Sequence, residues 1–395
     1  MSHRTRRQLA ADIGRGMIAA SVGPALAADL GFRTARAADG PDRLTFGDLD
    51  SLVNRLRDTP PGEVVGWAVK ELKAGTELRR LVAAAALANA RAFGGEDYVG
   101  FHTLMALAPA FQIAGDEPDP ARRPLAVLKV LHRNAARLAE VGPAKETLTP
   151  VQPTGPADAE RVRAAVRRGD LSGAEAAFAA VCQGPPADAL NGLMPTVDDA
   201  TEVHRVVLVS RAWDLTRFVG AERAGVLLRQ SVRYCVAAER HPGATAANAP
   251  LRELLPTLLD RYGLLGKPAG TRTADDAWVA GFADTLFRAD PATAADAVAA
   301  ALAEGIDAEA VGEAVSLAAN QLVLRDAGRP KQWAQPNKPE GSVHGDSVGI
   351  HTCDTVHAWR SLARAGDRRT QVTSLLLAGY QVARDRAGRV GFADW

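Results

Sequence analysis

The feature that most constrains this chain is that it matches itself. Leu72-Lys73-Ala74-Gly75 closes one apolar-periodic stretch, and a second follows that ends in Leu87-Ala88-Asn89. Leu302-Ala303-Glu304-Gly305 is followed in the same way by Leu317-Ala318-Ala319-Asn320. A glycine in that place ends a helix, because it takes the left-handed conformation without a Cβ clash. After a turn, Gly100-Phe101-His102-Thr103 in the first copy answers Gly349-Ile350-His351-Thr352 in the last, and each histidine leads a helical stretch. Arg122-Arg123 and Arg368-Arg369 then announce a further helix. A weaker middle copy carries Val166-Arg167-Arg168-Gly169, a helix over Ala174 to Val181, Glu202-Val203-His204-Arg205 and a last helix over Ala221 to Cys235. The histidine-to-arginine spacings are 20, 19 and 17 residues, to Arg122, Arg223 and Arg368. Units that recur at this length bury a continuous core between neighbours.

The periodicity inside the units is helical. Val64 to Leu72, Leu81 to Ala90, Leu125 to Leu138 and Val226 to Val236 place apolar residues three or four apart, and no hairpin signal joins two β-branched runs. The expected class is all-α, with three related helical units of about four helices each, forming a solenoid or a curled bundle. The organisation reads as an export signal over 1–37, a linker and first helix over 38–59, and the first unit over 60–150. The second unit covers 151–245, bridging helices 246–290, and the third unit, with a His-rich loop and helix, 291–395.

The signal rests on Arg4, Arg6 and Arg7, followed by a mildly apolar stretch from Met17 to Ala28 that is too short to span a bilayer. Small residues suited to cleavage occur at Ala25-Leu26-Ala27 and Ala35-Arg36-Ala37. The pattern predicts export by the twin-arginine route to the periplasm or cell envelope, with no transmembrane segment in the mature chain. That route carries folded proteins, often with a cofactor in place. The charge balance, 47 basic against 46 acidic residues, gives no footprint for nucleic acid and points to a small-molecule or protein partner, a small-molecule substrate being the expectation; oligomeric state is not encoded legibly. Three cysteines are too few for a disulfide framework.

Chemistry is expected where the histidines recur. If the units pack about a common centre, His102, His204 and His351 converge, and three imidazoles suit iron, copper or zinc. The densest polar cluster runs from Ser342 to His357 and holds His344, Asp346, His351, Cys353, Asp354 and His357. At about 100° per residue, Asp354 lies between the directions of His351 and His357, as a fourth ligand or an orienter of the His351 ring. His344, Asp346 and His357 are the expected proton-transfer and supporting catalytic groups. Cys353 and His357, four apart, form a possible nucleophilic pair with little room for a substrate between them. Asp198, Asp199 and Glu202 precede His204 and read as complements to a helix dipole. No haem-attachment, zinc-protease, P-loop or dinucleotide motif is present, nor the paired Glu-x-x-His of di-iron bundles.

Gly100-Phe101-His102-Thr103-Leu104-Met105-Ala106-Leu107 resembles the histidine-led helices of the questin oxidase-like family, and Gly349-Ile350-His351-Thr352 is similar in style. The residues after His351 depart from that apolar pattern. The resemblance implies a helical fold and an oxidative ring-opening or oxygen-inserting activity, with His102 and His351 in the site. The expectation is an exported helical metal-binding protein, an oxidoreductase or oxygenase acting on a small organic molecule. The alternative is a non-catalytic helical-repeat scaffold or binding protein of the cell envelope, its histidines serving as caps and core polar groups.

Overall fold

The computed structural model describes residues 43–141, 148–342, 347–387, 389 and 392. The expected export signal, His344 and Asp346 lie outside the described residues. Sixteen α-helices are present among them and no named strand. They are α1 (Asp50–Asp58), α2 (Pro61–Lys73), α3 (Leu78–Ala92), α4 (Tyr98–Asp116), α5 (Leu125–Val141), α6 (Ala159–Arg167), α7 (Leu171–Val181) and α8 (Pro186–Val197). The order continues with α9 (Val203–Val219), α10 (Ala224–Glu239), α11 (Ala244–Tyr262), α12 (Asp276–Arg288), α13 (Pro291–Ala303), α14 (Ala308–Leu324), α15 (Val348–Ala365) and α16 (Arg368–Arg386). No described helix is long and apolar enough to cross a membrane.

The glycines that carried the self-match end helices by one mechanism. Gly75, Gly169 and Gly305 all have positive φ, at 97°, 68° and 85°. Each donates its N–H to the carbonyl three residues back, and the next N–H reaches the carbonyl five residues before it, so two orphan carbonyls at each helix end are satisfied.

One order of neighbours then recurs. α1 packs on α3 and α5, α2 on α5, and α3 and α4 on each other and on α5. The same pairs form among α6–α10 and among α12–α16. Each group has five helices rather than the four expected, for two reasons. α12, read as part of the bridge, packs on α14 and α16 as α1 packs on α3 and α5, leaving α11 as the connecting helix. In the middle group Pro186–Val197 forms an additional helix, so α7 takes the place of α2 and α8 that of α3. The buried side chains from Phe46 to Ala383 form one continuous core.

α9 is held between α4 and α15, so the three histidine-led helices are neighbours. Their starts are fixed by buried polar contacts. Asn89 of α3, fully buried, donates to the Gly100 carbonyl (2.8 Å), Thr103 Oγ1 (3.0 Å) and Asn134 Oδ1 (2.8 Å), and accepts from Gln230 Nε2 (3.0 Å). The chain entering α9 is pinned from far away: Asp199 accepts from Arg163 (2.7 Å) and Arg167 (2.6 Å) of α6, and Asp198 from Arg369 (2.8 Å) of α16. These two aspartates thus turn inward to arginines instead of complementing the helix dipole. α15 approaches α14 through Gly349, where a Cβ would stand 2.7 Å from the Val323 backbone nitrogen and 2.8 Å from its Cα. Gly349→Ala is therefore expected to destabilise the chain by about 1–3 kcal/mol through backbone displacement. Gly115→Ala, where a Cβ meets nothing within 4 Å, should be neutral or stabilising. Urea midpoints of the two variants test the contrast.

Candidate metal centre

His204 lies between the other two candidate histidines. The ring centroids of His102 and His204 are 5.0 Å apart, and those of His204 and His351 are 6.2 Å apart. His102 lies in the second turn of α4, and His204 and His351 in the first turns of α9 and α15. Aromatic rings bound the cluster: Tyr98 lies 4.2 Å and Phe101 4.8 Å from His102, Phe101 5.3 Å from His204, and Tyr234 5.5 Å from Phe101.

Two of the imidazoles have their tautomers fixed. His102 Nδ1 is 2.7 Å from the Tyr98 carbonyl oxygen. A carbonyl only accepts, so Nδ1 carries the proton and Nε2 the lone pair. His204 Nδ1 stands 2.8 Å from Oε1 of Glu202 and, with a carboxylate as acceptor, takes the same tautomer. Glu202 is also the cap of α9. Its oxygens accept from the backbone N–H of His204 (3.1 Å) and Arg205 (2.9 Å), and from the Tyr234 hydroxyl (2.8 Å). Burial works against its charge, but hydrogen bonds from His204 and Tyr234 prevail and hold the carboxyl down at about 2. Burial lowers the pKa of His102, against the opposing pull of the Tyr98 carbonyl. The His351 ring nitrogens have no hydrogen-bond partner among the described residues.

The geometry bears directly on a metal ion. With metal–nitrogen bonds of about 2.0–2.1 Å, two imidazoles sharing a tetrahedral ion have centroids roughly 5 Å apart, and the limit for opposite ligands is roughly 6.4 Å. The His102–His204 pair matches the first figure, while His204 and His351 at 6.2 Å are near the limit. No three His, Cys, Asp or Glu side chains among the described residues stand as a ready ligand group. The expected four-ligand set is therefore corrected in two respects. His351 must close on His204 by about 1 Å to join a tetrahedral site. Asp354, expected beside His351, lies 3.4 Å from Arg211 of α9, which also faces Asp214 at 3.7 Å, so its charge is engaged by a guanidinium.

The other expected groups separate from the cluster. His357 stands six residues beyond His351, about 9 Å along the helix axis. Burial lowers its pKa, helped by the charge of Arg211, and it belongs to the Arg211–Asp354 surface rather than to the imidazole cluster. Cys353 Sγ lies 3.3 Å from Asn320 Oδ1, and burial pushes its thiol up to about 11, so at neutral pH it offers no thiolate for a pair with His357. Glu202 and Tyr234 are the functional residues that sequence reasoning undervalued. The one local signal for Glu202 was an acid two residues before a repeat histidine, the spacing that reaches its ring.

Arginine and glutamate behind α9 hold this geometry. Arg205, next to His204, donates to Glu239 Oε1 of α10 (2.9 Å) and to the Thr196 carbonyl (2.5 Å), with 1% of each charged side chain exposed. Arg252 of α11 grips the same carboxylate at 2.6 and 2.8 Å. A groove of about 600 Å³ runs between α4 and α5, with His102, alone of the three histidines, and Tyr98 in its wall.

Fold and site together define an all-helical protein with a cluster of three histidines at the starts of adjacent helices. No protein-family model, curated protein or solved structure compared with the chain matches it.

Proposed function

We propose that this protein is an exported metal-dependent enzyme of the oxidoreductase type, acting on a small organic molecule, with His102, His204 and His351 as the metal ligands. One observation carries the reading: two independent acceptors, a backbone carbonyl and a carboxylate, hold Nδ1 of His102 and of His204, whose ring centroids are 5.0 Å apart, and so leave the Nε2 lone pair of each ring free for a metal. A histidine that merely caps a helix or fills a core has no need of that arrangement twice. The Glu202–His204 contact is the carboxylate–histidine pairing that orients ligating imidazoles and raises their basicity. A bound iron or copper ion would supply one-electron or oxygen chemistry, and zinc would supply Lewis acidity. Export rests on the arginine pattern at the N-terminus, and the oxidative class on the family resemblance.

The residues divide the work. His102 and His204 set the coordination space, and His351 closes it from α15. Tyr234 donates to Glu202 and so holds the carboxylate against His204. Phe101, stacked 4.8 Å from His102, packs against the ring on α4.

Elemental analysis of the purified full chain tests the reading. About one equivalent of iron, copper or zinc per chain is expected, falling well below that in His102→Ala and His204→Ala with helix content preserved. A metal-free chain whose His351→Ala variant keeps its stability and its ligand binding would overturn the proposal in favour of a helical scaffold of the cell envelope.

A further inference from the structure

The groove beside His102 has a chemical bias of its own. Its walls are largely apolar, with Ala106, Ala110 and Ile113 along α4 and Val130 on α5. Tyr98 and Ile113, 60% and 59% exposed, stand at its two ends. Its volume of about 600 Å³ lies within the usual range for small-molecule sites. Lys129 and Arg133 of α5 also line it, and no carboxylate does.

These two cations are four residues apart on one helix, a spacing at which like charges repel. Nearby, Arg137 pairs with Asp97 and Glu140, and Arg122 with Asp119. Among the described residues neither Lys129 nor Arg133 has an ion-pair partner. The helices run antiparallel, with Thr103 Oγ1 donating to Asn134 Oδ1 at 3.1 Å and Arg137 paired with Asp97. That register sets Arg133 at the His102 end of the groove and Lys129 one turn further toward Ile113.

We infer that this groove binds an organic anion with an apolar body, whose carboxylate is received by Lys129 and Arg133 at the His102 end while its carbon skeleton lies along α4 toward Ile113. The inference deepens the proposed enzymatic reading by naming the substrate class of the same site. It stands on charge complementarity and apolar walls, which are independent of whether a metal is bound.

Isothermal titration of the full chain with 2-naphthoate and with neutral 2-naphthamide, each with and without chelator, separates the possibilities. The acid should bind about tenfold more tightly than the amide, in chelated and untreated protein alike. In Lys129→Gln/Arg133→Gln that preference should vanish while amide binding and helix content stay as in the parent. Ala106→Trp should abolish binding of both compounds and leave metal content unchanged. Equal affinity for acid and amide, or an acid preference that survives the double substitution, overturns the inference. An acid preference abolished by chelator alone also overturns it, since the carboxylate would then sit on the metal, and it leaves the metal reading standing. Retention of the charge-dependent preference in a chain that holds no metal would support the groove and refute only the metal centre.

Discussion

Glu202→Gln is expected to weaken metal binding by about 10- to 100-fold at neutral pH while leaving the helices intact. The reason is a count of acceptors. Four donors converge on this carboxylate: the His204 backbone and ring, the Arg205 backbone and the Tyr234 hydroxyl. Glutamine offers one oxygen in place of two and brings two donors of its own. When its amide nitrogen faces His204 Nδ1, the ring must accept there and carry its proton on Nε2, where a metal would bind. Tyr234→Phe removes one donor and keeps the carboxylate, so its loss should be several-fold smaller. Competition titrations with a metal chelator measure both, and equal affinity in the parent and Glu202→Gln would rule out an orienting role. The pH response separates two events. The folded-state pKa of Glu202 falls from 4.5 to about 2, so its contribution to folding is complete above the unfolded value and disappears as pH drops through the folded one. Metal release on acidification should come earlier, as the histidines protonate, and the lowered pKa of His102 delays its share of that release.

The second large effect concerns stability. Glu239→Ala should destabilise the chain by about 3–5 kcal/mol, because it leaves Arg205 charged and buried with its main partner removed. Arg252 loses the same partner, although it retains a 3.2 Å contact with the Asp199 carbonyl. Replacing both members, as Arg205→Met/Glu239→Leu, should recover much of the loss, since the desolvation of both charges disappears together. Urea denaturation measures each step, with the m-value expected to stay constant. A single-variant loss below about 1 kcal/mol would mean that water already reaches the pair. Because Arg205 adjoins His204, Glu239→Ala should also lower metal affinity, whereas the double variant should restore stability more fully than affinity.

The legible parts of this molecule were those with local signatures. Gly75, Gly169 and Gly305 announced helix ends because one residue type meets that backbone demand. The spacing of His102, His204 and His351 allowed convergence, on condition that the units pack about a common centre, because related helices repeat related neighbours. What escaped was set by partners distant in the chain. Nothing near Asp198 or Asp199 reveals that Arg369 and Arg163 will claim them, and nothing near Asp354 points to Arg211. The middle group was misaligned for a related reason: α6 resembles α13 in the glycine that follows its end, Gly169 as against Gly305, yet it packs in the place of α12. Local sequence recorded how each helix stops, whereas its position depended on which groove was vacant.

The placement of α9 between α4 and α15 has a consequence for biogenesis. The imidazole cluster draws one residue from each five-helix group, so no fragment that lacks a group contains it. Contacts between positions as distant as 102, 204 and 351 require the loop-closure entropy of the long intervening stretches to be overcome. A ligand that bridges all three rings would thus report completed synthesis and folding, and a truncated or half-assembled chain would carry no such mark.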